Sequence, residues 1–527
     1  MKTIDIDLSP EQYHVPEQRL LAVSRAIGVD AGDIATIEVV RRSIDCRRCN
    51  VMYHTTLEVR LQGEVAPTPV PQQDPYRDCH QAPPVVIIGA GPAGLFAALR
   101  ALELGLKPII VERGKPVSDR KYDIAAITRQ GHVDPDSNWC FGEGGAGTYS
   151  DGKLYTRSTK RGDVSKVLRT FVAHGADPDI MIDAHAHIGT DRLSGIIAAM
   201  RKTIEEYGGE YHFNTHVTDL IVRDGRVCGV VNANGESVEG RAVILATGHS
   251  ARDIYQLFHR HGWLLEAKPF ALGVRVEHPQ ELINEIQYHG KGYSKYLPAA
   301  AYSLTTQVYS GNQHGVFSFC MCPGGVIVPA ATADGQQVVN GMSNSRRNSP
   351  FANSGIAVTV NLDEELGLRT EELSSPLALL KFQQRVEEQT FHAAGDSIAA
   401  PTQRLVDFML RKPSTTLNKS GYMGQCVSAP LHELLPQFVV DSLIQGFKDF
   451  DRKMHGFITE EASLLAVESR TSSPVRIPRD KLSLQHPQLQ GLFPCGEGAG
   501  YAGGIVSSAM DGIRCMDECA RRLASSR

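Results

Sequence analysis

The sequence has no run of about 18 consecutive apolar residues, the length that a membrane-spanning helix needs. Residues 1–7 lack the long apolar segment of a secretory signal peptide. The cysteines number eleven, an odd count, and they show no spacing typical of a disulfide framework. Together these absences predict a cytoplasmic protein with reduced thiols and no membrane partner.

A large excess of charge of either sign is also lacking. The net charge is −5 over 527 residues, so nucleic acid is not favoured as a partner. Five arginines do cluster near the N-terminus, and the pattern favours a solvated strand face for them: Arg41, Arg42, Arg47, Arg48 and Arg60. Hydrophobic residues make up 42% and charged residues 21%, which is typical of globular proteins, and the length predicts two or three domains.

Residues 1–63 are predicted to form a small α+β accessory domain. Apolar residues alternate over 4–8 as in a strand, and their spacing over 16–27 is that of a helix. Two more strands are expected at 37–43 and 52–61. A ferredoxin-like arrangement is one interpretation of this pattern.

A β-α-β unit follows further along the chain. The apolar run 85–88 is typical of a strand buried on both faces. Residues 92–104 have helical spacing and are followed by a glycine, and 108–111 is a second apolar run. This order predicts an α/β fold with a parallel sheet.

A glycine motif lies at the junction of the first strand and the helix of this unit. Gly89, Gly91 and Gly94 form G-x-G-x-x-G, in which the glycines permit a tight turn and a close approach of backbone to a pyrophosphate. The helix N-terminus then offers N–H groups to the phosphates. Glu112 ends the second strand, where its carboxylate can accept hydrogen bonds from ribose hydroxyls. Strand, helix, second strand and acid together predict a bound dinucleotide.

Two later segments indicate which dinucleotide. Residues 242–248 read AVILATG, and residues 492–497 read LFPCGE before a glycine-rich turn and a helical run at 505–523. With the first glycine motif, these segments resemble the glutathione-reductase superfamily of FAD proteins. The resemblance implies that Glu497, where the superfamily more often has aspartate, binds the flavin ribityl chain. It also implies that the last helix directs its N-terminus at the flavin ring.

A second resemblance covers most of the chain. Residues 141–154 read FGEGGAGTYSDGKL, and with 187–191, 319–325 and 340–343 they are similar to the bacterial family of FAD-dependent dehydrogenases. The resemblance implies bound FAD and a redox activity without naming a substrate. It also implies that the glycine-rich loop at 141–154 borders the flavin.

The predicted cofactor site therefore draws on six segments. Its candidate residues are Gly89, Gly91, Pro92, Ala93, Gly94, Glu112, Arg113, Gly144, Gly145, Ala146, Thr148, Ser150, Val217, Ala246, Thr247, Gly248, Gly496, Glu497, Gly504 and Ile505.

The predicted domain order places a proline-rich linker, with six prolines, at 64–84. A Rossmann-type FAD-binding domain is predicted to consist of two segments, a first part at 85–265 and a C-terminal part at 461–527. Between its two parts, 266–460 is interpreted as an inserted α+β substrate or cap domain.

Other motifs are interpreted as structural. Cys46 and Cys49 have C-x-x-C spacing without a second ligand pair, and no metal is predicted for them or for His185 and His187. The pair Cys320 and Cys322 would suit a flavin enzyme as redox-active thiols, but a packed strand end is the favoured interpretation.

The sequence thus predicts an FAD-dependent oxidoreductase that transfers hydride or electrons between flavin N5 and a small organic molecule. Either NAD(P)H binds transiently as electron donor or a separate protein supplies the electrons. A flavin-dependent RNA-modifying protein, a flavin monooxygenase and a non-catalytic redox sensor are the alternatives. No catalytic residue is assigned. Lys153, Arg275 and Tyr422 are considered as groups facing a substrate.

Overall fold

The computed structural model describes residues 1–65, 75–156, 162–362 and 366–525 of the chain. Its first unit is a three-stranded antiparallel sheet with two helices. The elements are β1 (Lys2–Leu8), α1 (Pro10–His14), α2 (Pro16–Ile27), β2 (Ile34–Asp45) and β3 (Met52–Leu61). Along the chain these elements follow the first part of a β-α-β-β-α-β unit, and in the sheet the strands have the order β1-β3-β2. The described residues of this unit contain no further helix or strand after β3.

This small unit has an apolar core of its own. Leu8 and Leu57 from the strands and Val23 from α2 are fully buried in it. The linker predicted for 64–84 follows, and its residues 66–74 lie outside the described residues.

The second unit begins with the β-α-β arrangement that the sequence predicts. Its elements are β4 (Pro84–Ile88), α3 (Pro92–Leu104), β5 (Lys107–Val111), α4 (Val117–Gln130), α5 (Val164–Ala173), α6 (Thr190–Glu206), β6 (Glu210–His212), β7 (Val217–Arg223), β8 (Arg226–Asn232), β9 (Ser237–Glu239), β10 (Val243–Leu245) and α7 (Arg252–Arg260). Strands β7, β8 and β9 form a separate antiparallel sheet. The predicted helix at 92–104 matches α3, which ends at Gly105 in the left-handed conformation that a glycine adopts without strain.

The third unit is built around a seven-stranded sheet. Its elements are β11 (Glu266–Ala267), β12 (Phe270–Pro279), α8 (Gln280–Gln287), β13 (Thr305–Ser310), β14 (Asn312–Cys322), β15 (Val326–Pro329), β16 (Val339–Met342), β17 (Phe351–Val360), α9 (Thr370–Leu373), α10 (Ala378–Ala393), β18 (Ala400–Arg404), α11 (Leu405–Met409), β19 (Cys426–Ser428), α12 (Leu431–Leu434), α13 (Gln437–Lys453) and β20 (Ser463–Glu468). The order in the large sheet is β13-β14-β17-β12-β20-β18-β19.

The chain then returns to the second unit through β21 (Val475–Arg476), β22 (Leu492–Pro494) and α14 (Ile505–Ser525). Here β22 completes a parallel sheet with the order β22-β10-β4-β5-β6. Helix α14 packs so closely on α3 that a Cβ at Gly512 would lie 2.1 Å from the carbonyl oxygen of Ala93. The C-terminal helix is therefore fixed directly against the helix that follows the glycine motif.

The structure places one domain boundary, the end of the inserted domain, later than the sequence predicts. The sequence interpretation ends the inserted domain at 460, but β20 lies at 463–468 and pairs with both β12 and β18 inside the seven-stranded sheet. The inserted unit therefore includes β20. No described helix combines the length and the apolar character needed to cross a membrane.

Candidate functional site

The three units enclose a cavity of about 1420 Å³. Drug-sized ligands usually occupy roughly 300–1,000 Å³, so the cavity has room for a large ligand and a second molecule beside it. The residues of the predicted cofactor site that line it are Gly89, Gly91, Pro92, Ala93, Glu112, Arg113, Gly145, Ala146, Ser150, Val217, Ala246, Thr247, Gly248, Gly496, Glu497, Gly504 and Ile505. Segments that are more than 400 positions apart in the chain thus converge on one cavity.

The turn from β4 to α3 has the shape of a phosphate cradle. Gly89 has φ +102°, and a Cβ there would lie 2.5 Å from the carbonyl oxygen of Ala246. Gly91 caps α3 without a side-chain hydrogen bond, so the first N–H groups of the helix are left to face the cavity. An uncapped helix N-terminus with no side chain in front of it fits a pyrophosphate.

Glu112 has more partners than the sequence indicates. Its buried carboxylate accepts backbone hydrogen bonds from Ala90 at 2.8 Å, Gly114 at 2.9 Å and Gly142 at 3.0 Å. Since a carboxylate has about four acceptor positions, one remains for a ribose hydroxyl. This acid therefore braces the loops around the cavity as well as bordering it.

Three of the predicted residues, Gly94, Gly144 and Thr148, lie behind the cavity wall. A Cβ at Gly94 would lie 1.9 Å from the carbonyl oxygen of Gly89, so this glycine allows the helix to pack against the turn. The Gly144 N–H donates to the Ala90 carbonyl at 2.8 Å, and the Thr148 hydroxyl donates to the Glu143 carbonyl at 2.9 Å. These three residues shape the wall without touching the space inside it.

Arg120, which the sequence reasoning missed, holds the glycine-rich loop from behind. Its fully buried guanidinium donates to the carbonyl oxygens of Asn138, Glu143 and Gly145 at 2.8–2.9 Å. A buried cation with three carbonyl acceptors fixes the loop by charge-assisted hydrogen bonds.

Glu497 and His249 are neighbours in the cavity lining, with 3.9 Å between Nε2 and Oε1. Burial raises the pKa of Glu497 to about 7, and Lys268 only partly offsets this effect. Burial and the nearby Arg470 lower the pKa of His249 to about 3. Near neutral pH the imidazole is therefore uncharged and the carboxyl is close to half protonated.

The raised pKa of Glu497 predicts a pH-dependent effect of Glu497→Gln on the cofactor-free protein. A carboxyl that binds its proton more tightly in the folded state stabilises that state fully below about pH 4.5, and the contribution is lost as pH rises through about 7. The glutamine side chain does not ionise, so the variant should gain up to about 2 kcal/mol over the parent between pH 5 and pH 8.

Urea unfolding of both cofactor-free proteins at the two pH values measures this gain. Glu277 and Glu468, whose pKa values burial also raises to about 7, are present in both proteins and cancel in the comparison. A difference in free energy of unfolding that stays constant with pH would show that Glu497 is not desolvated as described.

A buried ion network joins the second and third units. Glu387 of α10 accepts from Arg252 of α7 at 2.8 Å and from Arg470, which follows β20, at 3.2 Å. Burial alone would raise the pKa of Glu387, but the two guanidiniums outweigh it and lower the pKa to about 2. Two arginines share one carboxylate, so the network keeps a net positive charge, and Arg470 lines the cavity.

The N-terminal unit supplies one wall of the cavity. The rings of Tyr13 and Tyr53 are stacked with centroids 4.4 Å apart, and both line the space. Arg42, which the sequence analysis places in a solvated basic cluster, instead binds Asp183 through two hydrogen bonds of 2.5 and 2.7 Å and lies 3.0 Å from Asp179. The charge of this arginine is thus neutralised at the contact with the second unit.

One group of side chains in the described parts of the chain has the proximity of metal ligands: Cys495, Asp511 and Cys515. Arg479 donates to Asp511 at 2.6 Å and to the Cys515 sulfur at 3.1 Å, so a guanidinium already neutralises the group. Asp511 also accepts from the Gly496 N–H at 2.8 Å. This cluster therefore ties α14 to the segment beside Glu497.

Three family models match successive parts of the chain. A domain of unknown function matches residues 1–60, pyridine nucleotide-disulphide oxidoreductase matches 83–259, and "FAD-dependent protein, C-terminal domain-like" matches 269–471. The last match extends past β20, in agreement with the sheet that contains this strand.

Similar proteins extend the comparison. An uncharacterized protein of Clostridium beijerinckii is 38% identical over 508 residues, which are 93% of each chain. A digeranylgeranylglycerophospholipid reductase of Methanocella arvoryzae is 22% identical over 171 residues, 31% of this chain and 37% of that one. Among solved structures, a flavocytochrome c3 fumarate reductase has 13% identity and a TM-score of 0.35 over 84% of this chain and 78% of its own.

Proposed function

This chain belongs to one family with the uncharacterized Clostridium protein and contains domains of the FAD-dependent and pyridine nucleotide-disulphide oxidoreductase families, and we propose that it binds FAD in the large cavity and oxidises or reduces a small organic molecule there. One observation carries the proposal. The glycine turn, the N-terminus of α14, the inserted sheet and the N-terminal unit all contribute residues to the lining of the same cavity.

Each part of the cofactor has a matching group in the cavity wall. The start of α3 behind Gly91 would hold the pyrophosphate, and the remaining acceptor position of Glu112 would bind the adenosine ribose. Glu497 and the residues 503–508 at the start of α14 would border the ribityl chain and the ring. When bound, FAD supplies transfer of hydride or single electrons through N5.

The protein's own charges suit this chemistry. The shared carboxylate of Glu387 leaves net positive charge at Arg470, which lines the cavity. A fixed positive charge in a water-poor site stabilises negative charge that develops during the reaction. His249 is uncharged at neutral pH and does not add to that charge.

The substrate would occupy the part of the cavity farther from the glycine turn. Tyr13 and Tyr53 offer an aromatic wall there, and Asp151 with Arg347 forms an ion pair of 2.6 Å at the border. An aromatic wall with a few charged groups is typical of a small-molecule site. We therefore propose that the N-terminal unit contributes to substrate binding.

Anaerobic titration of the purified protein with NADH and, separately, NADPH tests the proposal through the visible flavin absorption band. Bleaching by one nucleotide would identify the donor, although only one complete dinucleotide motif is present in the sequence. A flavin that dithionite reduces but neither nucleotide reduces would identify an enzyme that takes electrons from its substrate or from a protein. A colourless protein that takes up no added FAD would contradict the proposal.

A further inference from the structure

The end of β14 departs from regular strand geometry where it reaches the cavity. The pairing of β14 with β17 shifts register between Phe319 and Cys322. Within this irregularity Cys320 has φ +47°, the left-handed region that a residue with a side chain rarely adopts. Bulges and strained residues of this kind are found beside active sites, where they redirect a side chain.

The irregularity brings two thiols to the cavity border. Cys320 lines the cavity, and Cys322 is fully buried behind it with its sulfur 3.3 Å from the Cys320 carbonyl oxygen. Both cysteines are free thiols. Even in a regular strand, residues two apart have Cα atoms only about 6.6 Å apart, which lies within the range that a disulfide spans.

Two cations lie beside this pair. The Lys153 ammonium contacts the Met321 carbonyl oxygen, and the Arg275 guanidinium donates to the Cys320 carbonyl at 2.6 Å and lies 3.9 Å from the Cys322 sulfur. Arg275 is fully buried and pairs with Glu468 at 2.6 Å. Reactive cysteines are found in such electropositive, partly accessible surroundings.

The two thiols differ in acidity. A hydrogen bond from Cys322, with the charges of Lys153 and Arg275, lowers the pKa of Cys320 against the effect of burial. The same interaction and burial raise the pKa of Cys322. One cysteine is thereby suited to act as a thiolate and the other to remain a protonated thiol.

We propose that Cys320 and Cys322 are a redox-active dithiol that exchanges two electrons with the flavin. Oxidation of the Cys320 thiolate and the Cys322 thiol joins the two sulfur atoms and releases one proton and two electrons. Oxidised flavin in the same cavity is the acceptor of the electron pair and one proton, and the reverse step returns them to the disulfide. The proposal rests on the proposed function only for the identity of this electron partner.

Peptide mapping of the holoprotein tests whether the bridge forms. Protein treated with the thiol oxidant diamide is denatured in N-ethylmaleimide, digested and analysed by mass spectrometry. The peptide with both cysteines should be unalkylated and lighter by two hydrogen atoms, and anaerobic dithionite should make both thiols fully alkylated. Two alkylated thiols after diamide would overturn the proposal, whether or not the protein contains flavin.

Anaerobic dithionite titration of the air-oxidised holoprotein tests exchange with the flavin. The parent protein should take up one more two-electron equivalent per flavin than Cys320→Ser or Cys322→Ser. Cys228→Ser is the matched control, since this partly buried thiol lies on β8 outside the cavity lining, and it should match the parent. Equal uptake by the parent and Cys320→Ser would overturn the proposal, and the flavin absorbance of the same samples reports separately on FAD binding.

Discussion

Gly91→Asp should give a folded protein whose affinity for FAD is lowered by about 100-fold or more. Gly91 lines the cavity at the start of α3 with φ outside the left-handed region, and a Cβ there would meet only Gly145, at 3.9 Å. The backbone therefore accepts a side chain, but a carboxylate at this point repels the pyrophosphate. Fluorescence titration of the cofactor-free variant with FAD measures the affinity.

Gly91→Ala is the matched control, because it adds the Cβ without the charge. It should retain most of the FAD affinity and the far-ultraviolet circular dichroism of the parent. If Gly91→Asp binds FAD as tightly as Gly91→Ala does, the pyrophosphate does not lie at the start of α3.

Glu387→Gln should lower the free energy of unfolding by about 3–5 kcal/mol. The substitution keeps the shape of a fully buried side chain but leaves Arg252 and Arg470 without a counter-charge. Two nitrogens of Arg252, Nε and Nη1, already have no hydrogen-bond partner among the described residues. Other groups therefore do not replace the hydrogen bond and the counter-charge that Arg252 loses with the Glu387 carboxylate. Urea unfolding at neutral pH, followed by circular dichroism, measures the loss.

Glu388→Gln provides the comparison on the same helix. Glu388 is the next residue of α10 and is exposed, so its loss of charge should change the free energy of unfolding by less than about 0.5 kcal/mol. Equal effects of the two substitutions would show that the ion network does not contribute to the junction of the two units.

The parts of the molecule that could be predicted from sequence are those determined by local pattern. The run at 85–88 predicts a buried strand, the spacing at 92–104 predicts α3, and the structure has both. Gly89 and Gly91 can be recognised in the sequence because a tight turn from strand to helix requires glycine at fixed spacing. Such requirements are visible in a single sequence.

The remaining features depend on contacts between distant parts of the chain. Arg470 and Glu387 are 83 positions apart, and nothing in the pattern around either residue indicates the other. The sequence pattern places the end of the inserted domain at 460, before β20, because this strand is recognisable as part of the inserted sheet only through its pairing with β12 and β18. For the same reason the sequence predicts a solvated Arg42, since its partners Asp179 and Asp183 belong to another unit.

The FAD content of the purified protein tests the central claim most directly. Protein isolated without added flavin, and protein dialysed against excess FAD, is denatured, and the released cofactor is identified and quantified by chromatography. We expect one molecule of FAD per chain. A protein that releases no FAD after either treatment, although its circular dichroism shows it to be folded, would contradict it.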